Sequence, residues 1–136
     1  AIASKNSIST SKSTSQTIDD LRKEFLDRKE YKTLIQLLNK EVELKKYELL
    51  NSDSKKGIEL YPVQPVLYKL NGLALNNLGK YNKAIIVLTI GMDFVIDDKT
   101  LEADFYSLIA ISYEKLNNAK KALNYKQKAA ALRKGN

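Results

Sequence analysis

The stretch "LYKLNGLALNNLGKYNKAIIVLTIG" (67–91) contains two apolar segments with helical spacing, separated by a short Gly-Lys break. A small residue interrupts each of the two bulky faces, Gly72 in the first segment and Ala84 in the second. Two backbones approach closely only where one of them carries little or no side chain. We therefore interpret the stretch as a helix–turn–helix hairpin with contacts at Gly72 and Ala84, surrounded by Tyr68 and Leu88.

The hairpin pattern occurs a second time in the chain. "YKLNGLALNNLGKYNKAIIVL" (68–88) aligns with "YSLIAISYEKLNNAKKALNYK" (106–126) at a constant offset. Aromatic, apolar and small residues match in the pairs Tyr68/Tyr106, Gly72/Ala110, Leu78/Leu116 and Ala84/Ala122. Repetition on this scale is typical of an α-solenoid, and no segment shows sustained two-residue alternation. The sequence therefore predicts an all-α fold.

The unit at 65–98 resembles a tetratricopeptide repeat, whose helix–turn–helix unit has about 34 residues. The matching positions are Tyr68, Gly72, Gly79, Tyr81 and Ala84. The unit at 103–136 keeps Tyr106, Ala110, Tyr113, Ala122 and Ala129. It departs from the pattern at Asn117, Ala119 and Lys126, where the family has Gly, an aromatic and a large apolar residue. The resemblance implies a right-handed α-solenoid of about three antiparallel helical hairpins.

The rest of the chain is assigned by composition. Residues 1–16 are rich in Ser, Thr and Lys and predict a disordered tether, and the folded domain is expected over 17–136. A degenerate hairpin is predicted at 17–50, with Arg22 where the pattern has a small residue. Gly and Pro predict a loop over 51–64.

The residue inventory argues against an enzyme. The chain has no Cys and no His, which removes thiolate and imidazole catalysis and the usual transition-metal ligand sets. Its glycines do not cluster into a phosphate-binding loop. Asp97 and Asp98 precede a predicted helix, where capping explains them better than acid–base chemistry. We therefore expect no catalytic residues, no metal and no cofactor.

Charge and hydropathy limit the kinds of partner. The formal net charge is +7. Most of the excess lies in 119–136, which has six basic residues and no acid. Placed on a helix, these bases surround its axis instead of forming the stripe that follows a phosphate backbone, which argues against a nucleic-acid partner. No apolar run is long enough to span a membrane.

The resemblance also implies a binding surface. In tetratricopeptide proteins the first helix of each hairpin lines a concave groove that holds an extended peptide or a partner helix. The residues that map onto this groove are Lys69, Leu70, Leu73, Asn76, Asn77, Ser107, Leu108, Ile111, Glu114 and Lys115. Lys69 stands at one position of the family's carboxylate clamp, but Leu73 stands where an Asn is needed. Asn76 and Asn77 are left as candidates for bonding a peptide backbone.

The sequence therefore predicts a non-enzymatic adaptor that binds another protein or a peptide. The alternatives are a structural fragment of a longer repeat array, or weak binding of anionic surfaces or nucleic acid by the basic last helix. That helix is expected to expose Leu123 or Ala130, which predicts a covering domain or a homodimer. Without cysteines the chain fits any redox compartment, so a cytoplasmic location and export with an N-terminal tether both stay open.

Overall fold

The computed structural model describes residues 16–135, and every regular element in that range is an α-helix. The prediction of an all-α fold is confirmed. The predicted tether lies almost entirely outside the described residues. The helices are α1 (Ile18–Arg28), α2 (Tyr31–Glu43), α3 (Tyr47–Leu60), α4 (Pro65–Asn77), α5 (Tyr81–Met92), α6 (Lys99–Lys115) and α7 (Ala119–Lys134).

The chain divides between Leu44 and Lys45 into two compact units, and the first contains the hairpin of α1 and α2. Thr17 caps α1: its hydroxyl accepts a hydrogen bond from the Asp20 amide at 3.0 Å, and the Asp20 carboxylate accepts one from the Thr17 amide at 3.3 Å. Lys29 ends the helix with a left-handed backbone (φ 53°), and its amide donates to the Phe25 carbonyl. This reciprocal capping defines where the hairpin begins.

An ion pair joins the two helices of this hairpin. The Nη2 of Arg22 on α1 lies 3.2 Å from Oε2 of Glu41 on α2, and the Glu41 side chain is fully buried. Arg22 stands where the repeat pattern has a small residue. The helices therefore meet here through a buried charge and its partner instead of through a close backbone contact.

The second unit begins with α3, and this corrects the prediction of a loop over 51–64 and of a hairpin reaching residue 50. Residues 51–60 are helical, and only 61–64 connect α3 to α4. The prediction rested on Gly and Pro, but Gly57 is buried inside α3 instead of forming a turn, as is Ser54. The amide Nδ2 of Asn71 on α4 donates to Asn51 Oδ1 and to Ser54 Oγ, both at 2.9 Å.

Close contacts join α4 and α5 as the sequence predicted. A Cβ added to Gly72 would overlap the side chain of Leu88, and one added to Gly91 would overlap Cβ of Tyr68. Each helix therefore contributes one glycine and one large side chain to the contact. Ala84 is fully buried between them. The core around this contact consists of Tyr68, Leu75, Ala84 and Leu88 together with Phe105 and Ile109 from α6.

The hairpin of α6 and α7 has caps at both starts. Asp98 Oδ1 accepts from the Leu101 amide at 2.9 Å, and Asn118 Oδ1 accepts from the Lys121 amide at 3.1 Å. Asn117 takes the left-handed turn conformation (φ 61°) that Gly79 has in the preceding hairpin (φ 76°). Asparagine tolerates this region, so the turn survives without glycine.

The small residues of this hairpin are placed as expected. Ala110 and Ala122 are buried, whereas Leu123 and Ala130 are exposed. The exposure predicted for the last helix is therefore confirmed, and the homodimer inferred from it stays a prediction.

Candidate functional site: the surface of the first helices

The two first helices of the second unit, α4 and α6, lie side by side. In their first halves, Nζ of Lys69 is 3.7 Å from Oδ2 of Asp104. In their second halves, Nδ2 of Asn76 donates to the carbonyl oxygen of Leu108 at 3.0 Å. The first half of α4 contacts the first half of α6, and the second halves contact each other, so the two helices run parallel. Their outward residues form one continuous surface, which we call the first-helix surface.

A charged cluster occupies one end of the first-helix surface. Arg133, from α7, donates through Nη2 to Asp104 Oδ1 at 2.9 Å and through Nη1 to Ser107 Oγ at 3.2 Å. Lys69 approaches the other carboxylate oxygen of Asp104. Two cations therefore flank one carboxylate at this end of the surface.

Two of the predicted groove residues lie in the interior, which corrects their assignment. Leu70 and Asn76 are 5% and 6% exposed. The Asn76 amide bonds to Leu108 O, and its Oδ1 accepts from the hydroxyl of Ser112 at 2.6 Å. Asn76 therefore joins two first helices and has no free polar atom facing outward for a peptide. The repeat alignment alone does not reveal that a neighbouring helix buries Leu70 and Asn76.

The middle of the surface is an apolar strip with polar neighbours. Ile111 is 41% exposed, and Leu73 is half-buried. Leu108 is also half-buried and packs against the core with part of its side chain. Asn77 is exposed, and its Nδ2 donates to the Leu73 carbonyl of its own helix at 2.9 Å. These apolar groups can gain from burial by a partner, while Asn77 Oδ1 can accept a hydrogen bond.

The far end of α6 carries Glu114 and Lys115, both exposed. Glu114 Oε2 lies 2.6 Å from Nζ of Lys126 on α7. The hydrogen bond and the positive charge of Lys126 lower the pKa of Glu114 below the usual glutamate range, with a smaller contribution from Lys115. Glu114 thus faces α7, and Lys115 is the residue left to extend the surface.

Sequence reasoning missed Asp104 and Arg133 at this surface. They lie on different helices of the last hairpin and become neighbours only when α7 folds back along α6. The one available signal was the position of Arg133 near the end of a helix antiparallel to α6. That signal does not determine which way the side chain turns.

Sequence reasoning also missed a group of tyrosines and lysines between α6 and α7. The ring of Tyr125 is 5.8 Å from that of Tyr106 and 5.6 Å from that of Tyr113, with the second pair stacked. Lys128 lies over Tyr106 and Tyr125, and Lys121 lies over Tyr113. Burial, followed by the neighbouring Glu102 and Tyr125, raises the pKa of Tyr106.

These contacts change the interpretation of the basic residues on the last helix, α7. Lys121 and Lys128 rest on aromatic rings, while Lys126 and Arg133 pair with Glu114 and Asp104. Each of these bases already has a partner in its own hairpin. The arrangement stabilises the hairpin and differs from the open stripe of cations expected for a phosphate backbone.

The chemistry of the described residues is that of a contact surface. Within 16–135, no cluster of three or more His, Cys, Asp or Glu residues has an arrangement that could hold a metal ion. Of the helices described, none is both long and apolar enough to span a membrane. What the first-helix surface offers is apolar area, hydrogen-bonding groups and a cluster of charged side chains at one end.

Comparison with known proteins gives the fold. No protein-family model and no curated protein sequence matches the chain. Solved structures of MamA, a tetratricopeptide-like helical repeat protein, do match. One structure of MamA AMB-1 is 25% identical with a TM-score of 0.76, covering 93% of this chain and 75% of that one.

Two further MamA structures give the same result. One of MamA MSR-1 is 26% identical with a TM-score of 0.71 and covers 86% of this chain. A second crystal form of MamA AMB-1 is 27% identical with a TM-score of 0.68 and covers 85%. The match spans 66% of the MamA chain in both cases, slightly less than two thirds. The chain therefore has the fold of a tetratricopeptide-like helical solenoid.

Proposed function

We propose that the chain is a non-enzymatic interaction module whose partner, a peptide or a helix, binds along the first-helix surface. The observation that carries this proposal is the exposure of Ile111 on α6 and the partial exposure of Leu73 on the parallel helix α4. Likeness to MamA supports the general role of an interaction scaffold. The groove and the class of ligand are our own inference from the side chains.

The surface combines a source of affinity with a source of orientation. Burying the apolar strip contributes roughly 25 cal/mol for each Å² removed from water. Part of this gain is offset by the ordering of the partner. Lys69 and Ser107 at one end, and Asn77 and Lys115 at the other, offer polar contacts that fix the direction of a bound chain.

The two alternative functions receive less support. The bases of α7 are mostly engaged within its own hairpin, which weakens the case for nucleic acid or an anionic surface. A structural segment of a longer array would explain the repeats but leaves the partly exposed apolar strip without a purpose. Interaction with a protein partner accounts for both the fold and the strip.

The test starts by identifying the partner at a defined position. A photo-crosslinking residue placed at Ile111 in the full chain should capture a partner, which mass spectrometry then identifies. The same residue placed at Ile90, which is 48% exposed on the second helix α5, is the control. A partner captured at both positions would count against the proposal.

Binding of the purified partner then decides the matter. Ile111→Asp should weaken binding at least about tenfold, since a charge replaces apolar contact area, whereas Ile90→Asp should leave it unchanged. Circular dichroism confirms that both variants fold. Equal binding by the two variants would place the partner elsewhere.

A further inference from the structure

One side of α5 is exposed along the helix and carries two large apolar side chains. Ile86 is 61% and Ile90 is 48% exposed. At 3.6 residues per turn they share an arc of about 120° with four other exposed residues. These four are Asn82, Lys83, Thr89 and Asp93. We call the six residues the α5 outer face, which is apolar near its centre and polar or charged at its two ends.

The repeat does not require apolar side chains at these positions. One repeat later, on α7, the residues that align with Ile86 and Ile90 are Asn124 and Lys128, and both are exposed. The opposite side of α5 packs into the core, and its buried residues are Ala84, Leu88 and Gly91. The two isoleucines therefore form an apolar area that the hairpin itself does not use, as is typical of a surface that contacts another protein.

The charges at the two ends of the α5 outer face are opposite in sign. Lys83 lies in the first turn of α5, and Asp93 is its C-cap. Within residues 16–135, neither side chain forms an ion pair. Their placement is the reverse of what the dipole of α5 favours, because anions stabilise the start of a helix and cations stabilise its end. The stability of their own helix therefore does not explain these two charges.

The four side chains are spaced symmetrically along the helix. Ile86 and Ile90 lie two residues before and after position 88, and Lys83 and Asp93 lie five residues before and after it. If a second copy packs antiparallel, with a twofold axis at that level, Ile86 of each copy meets Ile90 of the other. Lys83 of each copy is then level with Asp93 of the other. The face is therefore self-complementary in both shape of pattern and charge, as an isologous interface requires.

We propose that the α5 outer face binds a second copy of this chain, as an antiparallel pair of α5 helices related by a twofold axis. Ile86 and Ile90 of both copies form the apolar centre, and Lys83 pairs with Asp93 at each edge. Each pair places an anion near the start of one α5 and a cation near the end of the other, which both helix dipoles favour. A parallel pair would oppose like charges, and an uncharged apolar partner would leave both charges without a counterpart.

The dimer is expected to be weak. A single helix face is small beside the about 1,200–2,000 Å² buried in standard interfaces. We therefore expect a dissociation constant on the order of 100 µM, so that the chain is monomeric when dilute. No residue of the first-helix surface takes part, so the dimer does not depend on the proposed function. In purified protein, a photo-crosslinker at Ile90 should link two copies, whereas one at Ile111 should not.

Sedimentation equilibrium of the purified full chain, from about 10 µM to about 1 mM, measures the association. Ile90→Asp should weaken it at least about tenfold, because two charges enter the apolar centre. Ile111→Asp is the matched control, since it makes the same change on the first-helix surface, and it should leave the association within about twofold of the parent. Circular dichroism shows whether each variant folds.

Charge reversal tests the antiparallel arrangement itself. Lys83→Asp brings carboxylates together at both edges and Asp93→Lys brings ammonium groups together. At low salt, each variant alone should therefore associate at least about tenfold more weakly than the parent. An equimolar mixture of the two variants restores both ion pairs and should recover association to within about threefold of the parent. Damage to the fold by either substitution would not be reversed by mixing.

The same measurements can overturn the proposal. A parent chain that stays monomeric at about 1 mM, or equal association by the parent and folded Ile90→Asp, would exclude the α5 outer face as a dimer contact. Loss of association in Leu123→Asp but not in Ile90→Asp would assign the dimer to α7. Charge variants that stay weakened when mixed would rule out the antiparallel pairing of Lys83 with Asp93.

Discussion

The side-chain amide of Asn76 donates a hydrogen bond to the backbone carbonyl of Leu108, joining two parallel helices through residues 32 positions apart. The other end of the same amide accepts the hydroxyl proton of Ser112 at 2.6 Å. Asn71 forms a similar link toward α3, through Asn51 and Ser54. Buried side-chain amides on α4 therefore fix the register of α4 against α3 and against α6.

Loss of the Asn76 link should destabilise the protein moderately. We expect Asn76→Ala to lower the free energy of unfolding by about 1–2 kcal/mol, the usual range for removing a partly buried hydrogen bond. The cost stays moderate because the hydroxyl of Ser112 can still donate to Leu108 O, which lies 3.1 Å away. Chemical denaturation provides the measurement.

Asn77→Ala is the matched control for this prediction. Asn77 is exposed and bonds only within its own helix in the contacts given by the structure, so its replacement should change stability by less than about 0.5 kcal/mol. Equal effects of the two variants would contradict the assigned role of Asn76.

Breaking the ion pair of the first hairpin should lower the free energy of unfolding more than Asn76→Ala does. Arg22→Ala removes the cation 3.2 Å from the fully buried carboxylate of Glu41, and breaking such a pair typically costs about 3–5 kcal/mol. Replacing both residues with leucine should recover much of the loss, because no charge is then left buried. Thermal and urea unfolding of the single and double variants measure the difference.

The neighbouring Asp19 is the control for that experiment. Its carboxylate lies 3.8 Å from Arg22 but is 96% exposed, so Asp19→Ala should cost less than about 1 kcal/mol. If Arg22→Ala were no more destabilising than Asp19→Ala, the pair with Glu41 would not be a main contact of the hairpin.

The repeat was predictable from the sequence because its signal is local and occurs twice. Aromatic and small residues recur at a fixed offset, and Gly72 and Ala84 lie where the interpretation placed them. Helix α3 was missed because Gly and Pro, on which the loop prediction rested, usually mark turns. Here Ser54 and Gly57 are buried, and Ser54 Oγ accepts a hydrogen bond from Asn71 on α4, a neighbour that the local sequence does not reveal.

The candidate site was predictable only in part, for a similar reason. A repeat alignment gives the helix face of each residue, and Asn77 and Ile111 are exposed and Leu73 is half-buried, while their role in a groove stays a prediction. It does not give the distance to the next helix, so Leu70 and Asn76 were assigned to the groove although they are buried. The Arg133 contact needed three-dimensional information altogether.

The two helical glycines of the central hairpin predict a ranking. A Cβ at Gly91 would overlap Cβ of Tyr68, which is fixed to the backbone, whereas one at Gly72 would meet the flexible end of Leu88. Gly91→Ala should therefore destabilise the protein more than Gly72→Ala, with the former costing about 1–3 kcal/mol or more through overpacking. Melting temperatures of the two variants test the order.

Gly79→Ala is the control for this ranking, because it should destabilise the protein through backbone strain and not through steric overlap. Nothing lies within 4 Å of a Cβ built there, but its backbone has φ 76°. Gly79→Ala should cost about 1 kcal/mol through backbone strain, and Gly79→Asn less, as Asn117 already occupies the same turn position in the last hairpin. A larger loss for Gly72→Ala than for Gly91→Ala would contradict the packing argument.

The contact between Glu114 and Lys126 predicts a response to pH. Its hydrogen bond and charge lower the pKa of Glu114 in the folded chain. Stabilisation from this pair is therefore present at neutral pH and is lost as the pH falls from the usual glutamate range through the lowered pKa. We expect Lys126→Ala to raise the pKa of Glu114 markedly, and Lys115→Ala to raise it less, since Lys115 contributes only a weaker charge effect.

Lys121→Ala is the control, because Lys121 lies over the ring of Tyr113, and it should leave the pKa of Glu114 nearly unchanged. High salt, with a Debye length of about 3 Å at 1 M, should move the parent toward the Lys126→Ala value. A ¹³C NMR titration of the Glu114 carboxyl measures each pKa, and a value in Lys126→Ala equal to that of the parent would show that the two side chains are not paired in solution.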